Sequence, residues 1–544
     1  MQIAREHQEN ASTGCQVGER PTSNQTPQSR WLPWVLAIIS GALQVVIFPI
    51  PNWTFLCWVA LAPLLVALLY AGRDSQGRPL AAIGKGFLLG WISGILFYAG
   101  SCYWVYHVMA YYGGLSAPVA VGILILFCLY VGLVHGLFGI LVAFVASRGW
   151  GIRALVLAPF LWVATELFRA HVIAFPWDLL GTVLVDNIPL SRIATVTGVY
   201  GLSFEIMLIN AALVAILFGR RERRTPMLAA WIFIVGIIQA GSYLQPPQVI
   251  PTGTARLVQQ NIPLDVQWTS QNYQQTLSDL AYISVPHPGE GMPGDPLPDL
   301  VIWPESPAPY FANDPSLRTT LSNIAIDAKS YVLAGILGVV RHSGGSQLYN
   351  SAELIAPNGD WLARYDKIHL VPFGEYVPFK NLFSFASKLT REVGDFVPGT
   401  ERLVLPVHSF KLSVFICYES IFPSEVREFA KHGAQLLVNI SNDGWFGNTG
   451  APEQHLRMAR MRAIENQRWL LRSTNTGISA SIDPYGRVIQ RLQRNVRVAV
   501  DVPYGVVTST TFYTRHGDWF PWLCAIITLG ALILRSPFRT GTSS

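Results

Sequence analysis

Between residues 31 and 243 the chain runs through seven apolar stretches of bilayer-crossing length, and an eighth follows near the C-terminus. A hydrocarbon core of about 30 Å takes about 20 helical residues. Lipid offers the backbone no hydrogen-bond partners, so stretches of this length are predicted to be helices. They fall at residues 31–50, 53–70, 87–106, 118–146, 154–170, 195–218, 226–243 and 519–534. The expectation is a multi-pass α-helical membrane protein with about eight transmembrane helices. Composition agrees: 51% of the 544 residues are apolar and 13% are charged. The net charge of +6 is spread over short loops rather than gathered in a patch, which excludes a nucleic-acid partner.

Those loops also predict an orientation. Arg73, Arg78 and Lys85 lie between stretches two and three, Arg148 and Arg153 between four and five, and Arg220, Arg221, Arg223 and Arg224 between six and seven. Arg535 and Arg539 follow stretch eight. If every stretch crosses, all of these share one side, and the positive-inside rule makes it the cytoplasm. The segment 245–518 and the loop 171–191 then face the opposite side. Four domains follow: a polar, disordered tail at 1–30, a helical bundle at 31–244, an outer domain at 245–518, and a last helix with a short tail at 519–544. Cys15 lies in the polar tail with no apolar segment before it, so it is not read as a lipidation site. Cys57, Cys102, Cys128 and Cys524 sit in apolar runs and are read as packing residues, with no zinc or disulfide spacing. His135, Glu166, Arg169 and Glu205 interrupt the apolar runs, where ionisable groups are costly. His135 is read as a helix-packing hydrogen bond, whereas Glu166 and Arg169, nearer the outer face where the site would lie, are the better candidates for a functional role.

From residue 255 the pattern becomes that of an α/β domain. Strands are predicted at 255–261, 300–303, 331–338, 351–355, 412–416, 435–440, 473–482 and 496–502, with helices at 273–283, 315–329, 423–431 and 453–467. Alternation of the two argues a layered sandwich, without evident repeats. Three of its strand–loop junctions carry chemistry. Cys417 ends the apolar strand KLSVFI, Glu305 follows LVIWP, and Lys367 and Glu375 flank a Pro/Gly turn in YDKIHLVPFGEYVP. A free thiol has a pKa of about 8.5, so a nucleophilic cysteine needs a base, a cation or aimed N–H groups. A lone cysteine in a strand is more often a small core residue. Glu, Lys and Cys at three such junctions, in that order, are a much more specific signal.

WPES, YDKIHLVPFGEYVP and ICYES together resemble the Glu–Lys–Cys triad of the nitrilase superfamily, and their wording is similar to the apolipoprotein N-acyltransferase family. In looser form the likeness runs over nearly the whole chain from Trp31. It implies an inserted nitrilase-like αββα sandwich with Cys417 as nucleophile, Glu305 as general base and Lys367 at the oxyanion, joined by the Tyr418 N–H. Glu375 and Glu419 become supporting carboxylates, although on physical grounds alone they serve equally well as structural ion-pair partners. Tyr376 is a pocket-lining candidate. Trp268 and Trp177, the latter in the Phe175-Pro176-Trp177 stretch, match family positions, and with Trp445 they are candidates for lipid contact. Phe379 opens a segment at 377–398 with helix-like apolar spacing, read as an amphipathic lid on anionic lipid or as an ordinary surface helix.

The resemblance implies a phospholipid acyl donor, a diacylglyceryl apolipoprotein acceptor, a thioester on Cys417, a ping-pong cycle and no metal or cofactor. It further implies a bacterial inner-membrane protein with its catalytic domain in the periplasm; a monomer is expected, although nothing in the sequence fixes the quaternary state. Two other readings compete: a membrane-tethered nitrilase-like amidase acting on a small amide, and a lipid-binding or transport protein with Cys417 merely buried. The first gives no reason for eight apolar stretches, and the second none for three converging charges. Arg460, Arg462, Glu465 and Arg468, on the last helix of the domain with His455, are read as structural salt-bridge partners.

Overall fold

The computed structural model describes residues 30–75, 78–287, 297–342, 345–376 and 396–533. The expected tail at 1–30, Arg30 apart, lies outside the described residues, as do Cys15, Phe379, Arg535, Arg539 and all but the last three residues of the segment 377–398.

Apolar helices stand where the runs placed them: α1 Leu32–Val46, α2 Ala62–Asp74, α3 Pro79–Ser101, α4 Ala117–Ser147, α5 Gly151–His171, α6 Val199–Phe218 and α7 Arg221–Ala240. Among the described residues six helical segments are long and apolar enough to cross a membrane, α2 counting with the tight turn that precedes it. α1, and the helix Trp519–Ile533 that closes the described chain, have 15 residues each, or about 22 Å of rise. The expected count of eight crossings is therefore not reached on length. Two boundaries also move: Pro at the first turn sets the start of α3, whereas α7 starts ahead of Pro226, which falls inside the helix. α3 begins at Pro79 and takes in Lys85, and α7 begins at Arg221, drawing the basic cluster into its first turn. Small residues let α3 and α4 meet closely: a Cβ on Gly90 would lie 2.1 Å from the His135 carbonyl oxygen. His135 pairs with Gln44 of α1 at 3.0 Å, the packing bond expected of it.

The α/β domain holds α8 Ser270–Ser284, α9 Pro315–Ala328, α10 Pro423–Lys431 and α11 Ala451–Asn466, which leaves α12 for Trp519–Ile533. Its strands are β1 Gly253–Gln259, β2 Leu300–Ile302, β3 Tyr331–His342, β4 Gly345–Ile355, β5 Trp361–Asp366, β6 Leu405–Val407, β7 Phe410–Ile416, β8 Leu436–Ser441, β9 Trp469–Thr474, β10 Ala480–Ile482, β11 Val488–Arg491 and β12 Val498–Tyr504. They form two six-stranded sheets, ordered β12-β1-β2-β3-β4-β5 and β11-β10-β9-β8-β7-β6. In each, three strands run parallel (β1, β2, β3 and β7, β8, β9) and the outer pairings are antiparallel. The two halves thus share one β-α-β-α-β-β-β order, a structural repeat that the sequence does not display. The single strand expected at 473–482 is two antiparallel strands, and β5, β6 and β11 were not anticipated.

Period-two alternation separates the layers. Leu257, Ile302 and Leu333 face the second sheet, while Val258, Val301 and Val332 turn outward onto α8 and α9. Helix ends follow local rules: Thr269 and Asn272 form a capping box at α8, Asp314 caps α9, and Gly433, at φ +105°, follows the end of α10. α11 has a different situation, because both of its faces are covered. One packs on the sandwich and the other on the helical bundle. Gln454 Nε2 donates to the Pro49 and Ser101 carbonyls at 3.0 Å, Arg457 bonds Asn52, and Glu465 accepts the Val199 N–H at the start of α6 at 2.9 Å.

Candidate active site

The quasi-repeat brings its strand ends together. Glu305 follows β2, and Asn442 follows the equivalent strand β8; the Asn442 N–H donates to Glu305 Oε2 at 2.8 Å. Lys367, just past β5, is almost fully buried, and its backbone is held at both sides by Asn350 O and the Gly399 N–H at 2.8 Å. Its ammonium donates to Glu305 Oε1 at 3.3 Å and Glu375 Oε1 at 2.9 Å. Glu375 Oε2 accepts the Val371 N–H at 2.7 Å, which locks the turn between the two residues. Burial alone would lower the Lys367 ammonium, but Glu375 and Glu305 more than offset it and hold its pKa above the ordinary lysine value. Lys367 is a fixed cation.

Cys417 opens a tight turn straight after β7, at φ +50°. That left-handed conformation costs a non-glycine residue about 1–3 kcal/mol and lifts the side chain off the end of the strand. Burial pushes the thiol up, Glu305 adds to the rise, and Lys367 and a hydrogen bond with Ser441 pull it back only in part. The resting sulfur is therefore protonated, and it lies in the fields of both triad partners. Glu419, two residues on, is fully buried. Its Oε1 accepts from the Tyr365 hydroxyl at 2.8 Å and the Ile368 and His369 N–H groups at 2.7 and 3.1 Å, and its Oε2 from the Ile416 N–H at 2.6 Å. One carboxylate thus ties the loop after Lys367 to the strand that leads into Cys417.

Two models of known families match the chain. Residues 254–511 match the carbon-nitrogen hydrolase model, and residues 40–212 match the N-terminal domain of apolipoprotein N-acyltransferase. The apolipoprotein N-acyltransferase of Geobacter metallireducens is 35% identical over 502 residues, covering 90% of this chain and 93% of that protein. That of Azotobacter vinelandii is 32% identical over 529 residues, covering 93% and 95%. The chain belongs to the apolipoprotein N-acyltransferase family. Its members are acyltransferases with a carbon-nitrogen hydrolase domain, so the Glu305, Lys367 and Cys417 cluster sits in the catalytic half of the N-acyltransferase.

The remaining expected residues are placed unequally. Tyr418 and Tyr376 are half-buried, and Tyr418 donates its hydroxyl to the Ala174 carbonyl at 3.2 Å. Trp445 is half-buried and meets Tyr112 edge-on, with 5.3 Å between ring centres. Trp268 packs edge-on to Tyr273 in the layer between the first sheet and its helices, at 6.1 Å. The expectation of lipid contact at Trp177 is corrected: the ring is 1% exposed, walled in by Trp104, Phe446 and His455. Glu166 and Arg169 do not reach the triad either; Glu166 accepts the Leu180 N–H at 2.8 Å and Arg169 donates to the Asp178 carbonyl at 3.3 Å, so they hold the Trp177 loop from below.

Asn350 is the residue that sequence reasoning missed. It projects from β4 and donates through Nδ2 to Glu305 at 2.7 Å and Glu375 at 2.6 Å. Its one sequence signal is a polar side chain just before the strand expected at 351–355, and the observed strand starts six residues earlier.

Proposed function

We propose that this chain transfers an acyl chain from a membrane phospholipid to the α-amine of an S-diacylglyceryl cysteine at the N-terminus of an apolipoprotein. The supporting observation is a base, an ammonium and a thiol on a strained turn, gathered on a domain whose helix α11 rests on a bundle of apolar helices. Both substrates are lipids. A nucleophile held near the headgroup plane meets them in two dimensions rather than three, with much of the orientation already supplied.

In the first half-reaction Glu305 takes the Cys417 proton as sulfur attacks the ester carbonyl carbon. The new oxyanion lies beside the Lys367 ammonium and the Tyr418 N–H. Collapse breaks the C–O bond to glycerol, Glu305 returns the proton to the leaving oxygen, and lysophospholipid departs from a thioester. In the second, the acceptor amine attacks that thioester, the C–N bond forms and the C–S bond breaks. Glu305 carries the amine proton to the departing sulfur. The cycle is ping-pong.

Arginines at alternate helix ends support eight crossings of a bacterial inner membrane, with residues 245–518 in the periplasm and the limits 31–244 and 519–544 for the membrane parts. We take the enzyme to work as a monomer. The test is intact-mass spectrometry after incubation with a dipalmitoyl phospholipid. A palmitoyl-sized adduct that hydroxylamine removes and Cys417→Ser lacks supports the reading. No adduct, with turnover of a small amide, favours the amidase instead.

A further inference from the structure

Under the nucleophile lies a fully buried histidine that no step of the acyl transfer uses. His455, on α11, places Nε2 3.0 Å from the Cys417 carbonyl oxygen and 2.7 Å from the Ser420 hydroxyl. A carbonyl oxygen only accepts, so this contact takes an Nε2–H. In the neutral ring Nδ1 is then bare; it lies 3.0 Å from both Asp443 Oδ1 and the Arg472 guanidinium, and the two acceptors share the guanidinium between them. Arg472 also grips both oxygens of Asp443 at 2.9 Å, and the Ser441 hydroxyl donates to Asp443 at 2.8 Å. Trp177 stacks on the imidazole with 5.7 Å between ring centres and 25° between planes. The Trp177 indole N–H is fixed in turn by Gln454 Oε1 at 2.9 Å.

We propose that His455 is a positioning residue for Cys417, and that Trp177, delivered by the helical bundle, keeps the imidazole in place. The Cys417 C=O and the Tyr418 N–H belong to one planar peptide unit and point in opposite directions. Gripping the carbonyl from below therefore aims the N–H upward, at the position where the oxyanion forms. The same grip holds Cys417 in its left-handed conformation, which no glycine is there to relieve. The use of the Tyr418 N–H rests on the acyl-transfer reading; the grip on Cys417 does not.

Two readouts separate these. Iodoacetamide alkylation of Cys417, mapped by peptide mass spectrometry, reports the thiol without any lipid, and single-turnover acylation from dipalmitoyl phospholipid reports the reaction. His455→Phe keeps a ring and loses both nitrogens, whereas His455→Gln returns a distal N–H. His455→Phe is expected to lower the maximal acylation rate about 10²-fold, the scale of one lost oxyanion donor, at unchanged phospholipid KM. Its alkylation rate changes as well, and His455→Gln recovers at least about tenfold of the acylation loss. Trp177→Leu should reproduce the effect and add little to His455→Phe, since one acts through the other. If His455→Phe does not fold, as judged by thermal midpoint and gel filtration, His455→Gln and Trp177→Leu are compared with wild type on the same readouts. A folded His455→Phe protein at the wild-type rate, a Gln variant no better than Phe, a loss confined to KM, or a Trp177→Leu protein at the wild-type rate overturns the proposal. Absence of any wild-type adduct, with alkylation still dependent on His455, overturns the acyl-transfer reading alone.

Discussion

Asn350 Nδ2 and Lys367 Nζ converge on the same two oxygens, Glu305 Oε1 and Glu375 Oε1. A neutral amide and an ammonium together hold two carboxylates side by side, a pairing that charge repulsion would otherwise open. Hydrogen bonds to charged groups contribute about 1.5–3 kcal/mol each. Asn350→Leu is expected to slow acylation of Cys417 by about 10²-fold on that scale. Asn350→Asp, which sets a third carboxylate against one lysine, should be slower still. Single-turnover rates for the two variants check the order, and an Asp variant faster than Leu would contradict it.

Glu305→Ala removes the only group assigned to take the thiol proton, and the thiol is protonated at rest. General-base catalysis typically supplies about 10²- to 10⁴-fold. The expected result is no adduct on the time scale of wild-type turnover, read by intact mass, with Cys417 still present. Full activity of Glu305→Ala would remove Glu305 from the mechanism.

Lys367→Met has two separable effects. Loss of a charge at the oxyanion lowers kcat by about 10²- to 10³-fold. Two buried carboxylates are also left without their cation, a destabilisation of about 3–5 kcal/mol for broken buried pairs. The thermal midpoint in detergent should fall along with the rate. Adding Glu375→Gln should restore part of the midpoint and none of the rate.

Gly335 on β3 lies against the turn that presents Glu305. A Cβ there would sit 2.2 Å from the Pro304 carbonyl oxygen and 2.8 Å from the Glu305 Cα, both backbone atoms. Gly335→Ala must push Glu305 out of line. A loss of acylation rate comparable to that of Asn350→Leu is expected, with alkylation of Cys417 much less affected.

Burial and the Arg472 charge lower the His455 pKa below the usual imidazole value, so the folded protein keeps the ring neutral. The unfolded chain takes up a proton near its reference pKa of about 6.5. Stability from this residue is thus fully present above that pH and is lost as pH falls toward the lower folded value. Thermal midpoints at pH 7.5 and 5.5 should differ more for wild type than for His455→Gln, because the other titrating groups are common to both. Equal differences would mean that His455 does not titrate on unfolding.

What could be read from the chain was whatever a local pattern carries. Apolar run length located the helices of the bundle, and apolar strands ending at Glu305 and Cys417 located two corners of the site. β5, β6 and β11 escaped notice because they are short and partly exposed; β11 shows half-buried and exposed positions by turns, with no apolar face. Asn350 is polar in the midst of a strand, and its meaning exists only once Glu305 and Glu375 arrive from other strands. Trp177 misled because an aromatic residue in an outer loop looks the same whether lipid or protein covers it. The role of His455 was not legible for a related reason: nearly all of α11 is buried, so its arginines and apolar residues follow no one-sided stripe.

The two-sided burial of α11 bears on how this enzyme can be handled. A water-soluble piece trimmed at the membrane boundaries would keep every reacting atom, yet it would lack the tryptophan that backs the imidazole and the carbonyls that anchor Gln454. Such a fragment would present a polar, arginine-bearing helix face where protein used to be, with a loosened cysteine turn above it. Solubility and turnover therefore compete in any shortened version, and a working preparation has to carry its greasy half along.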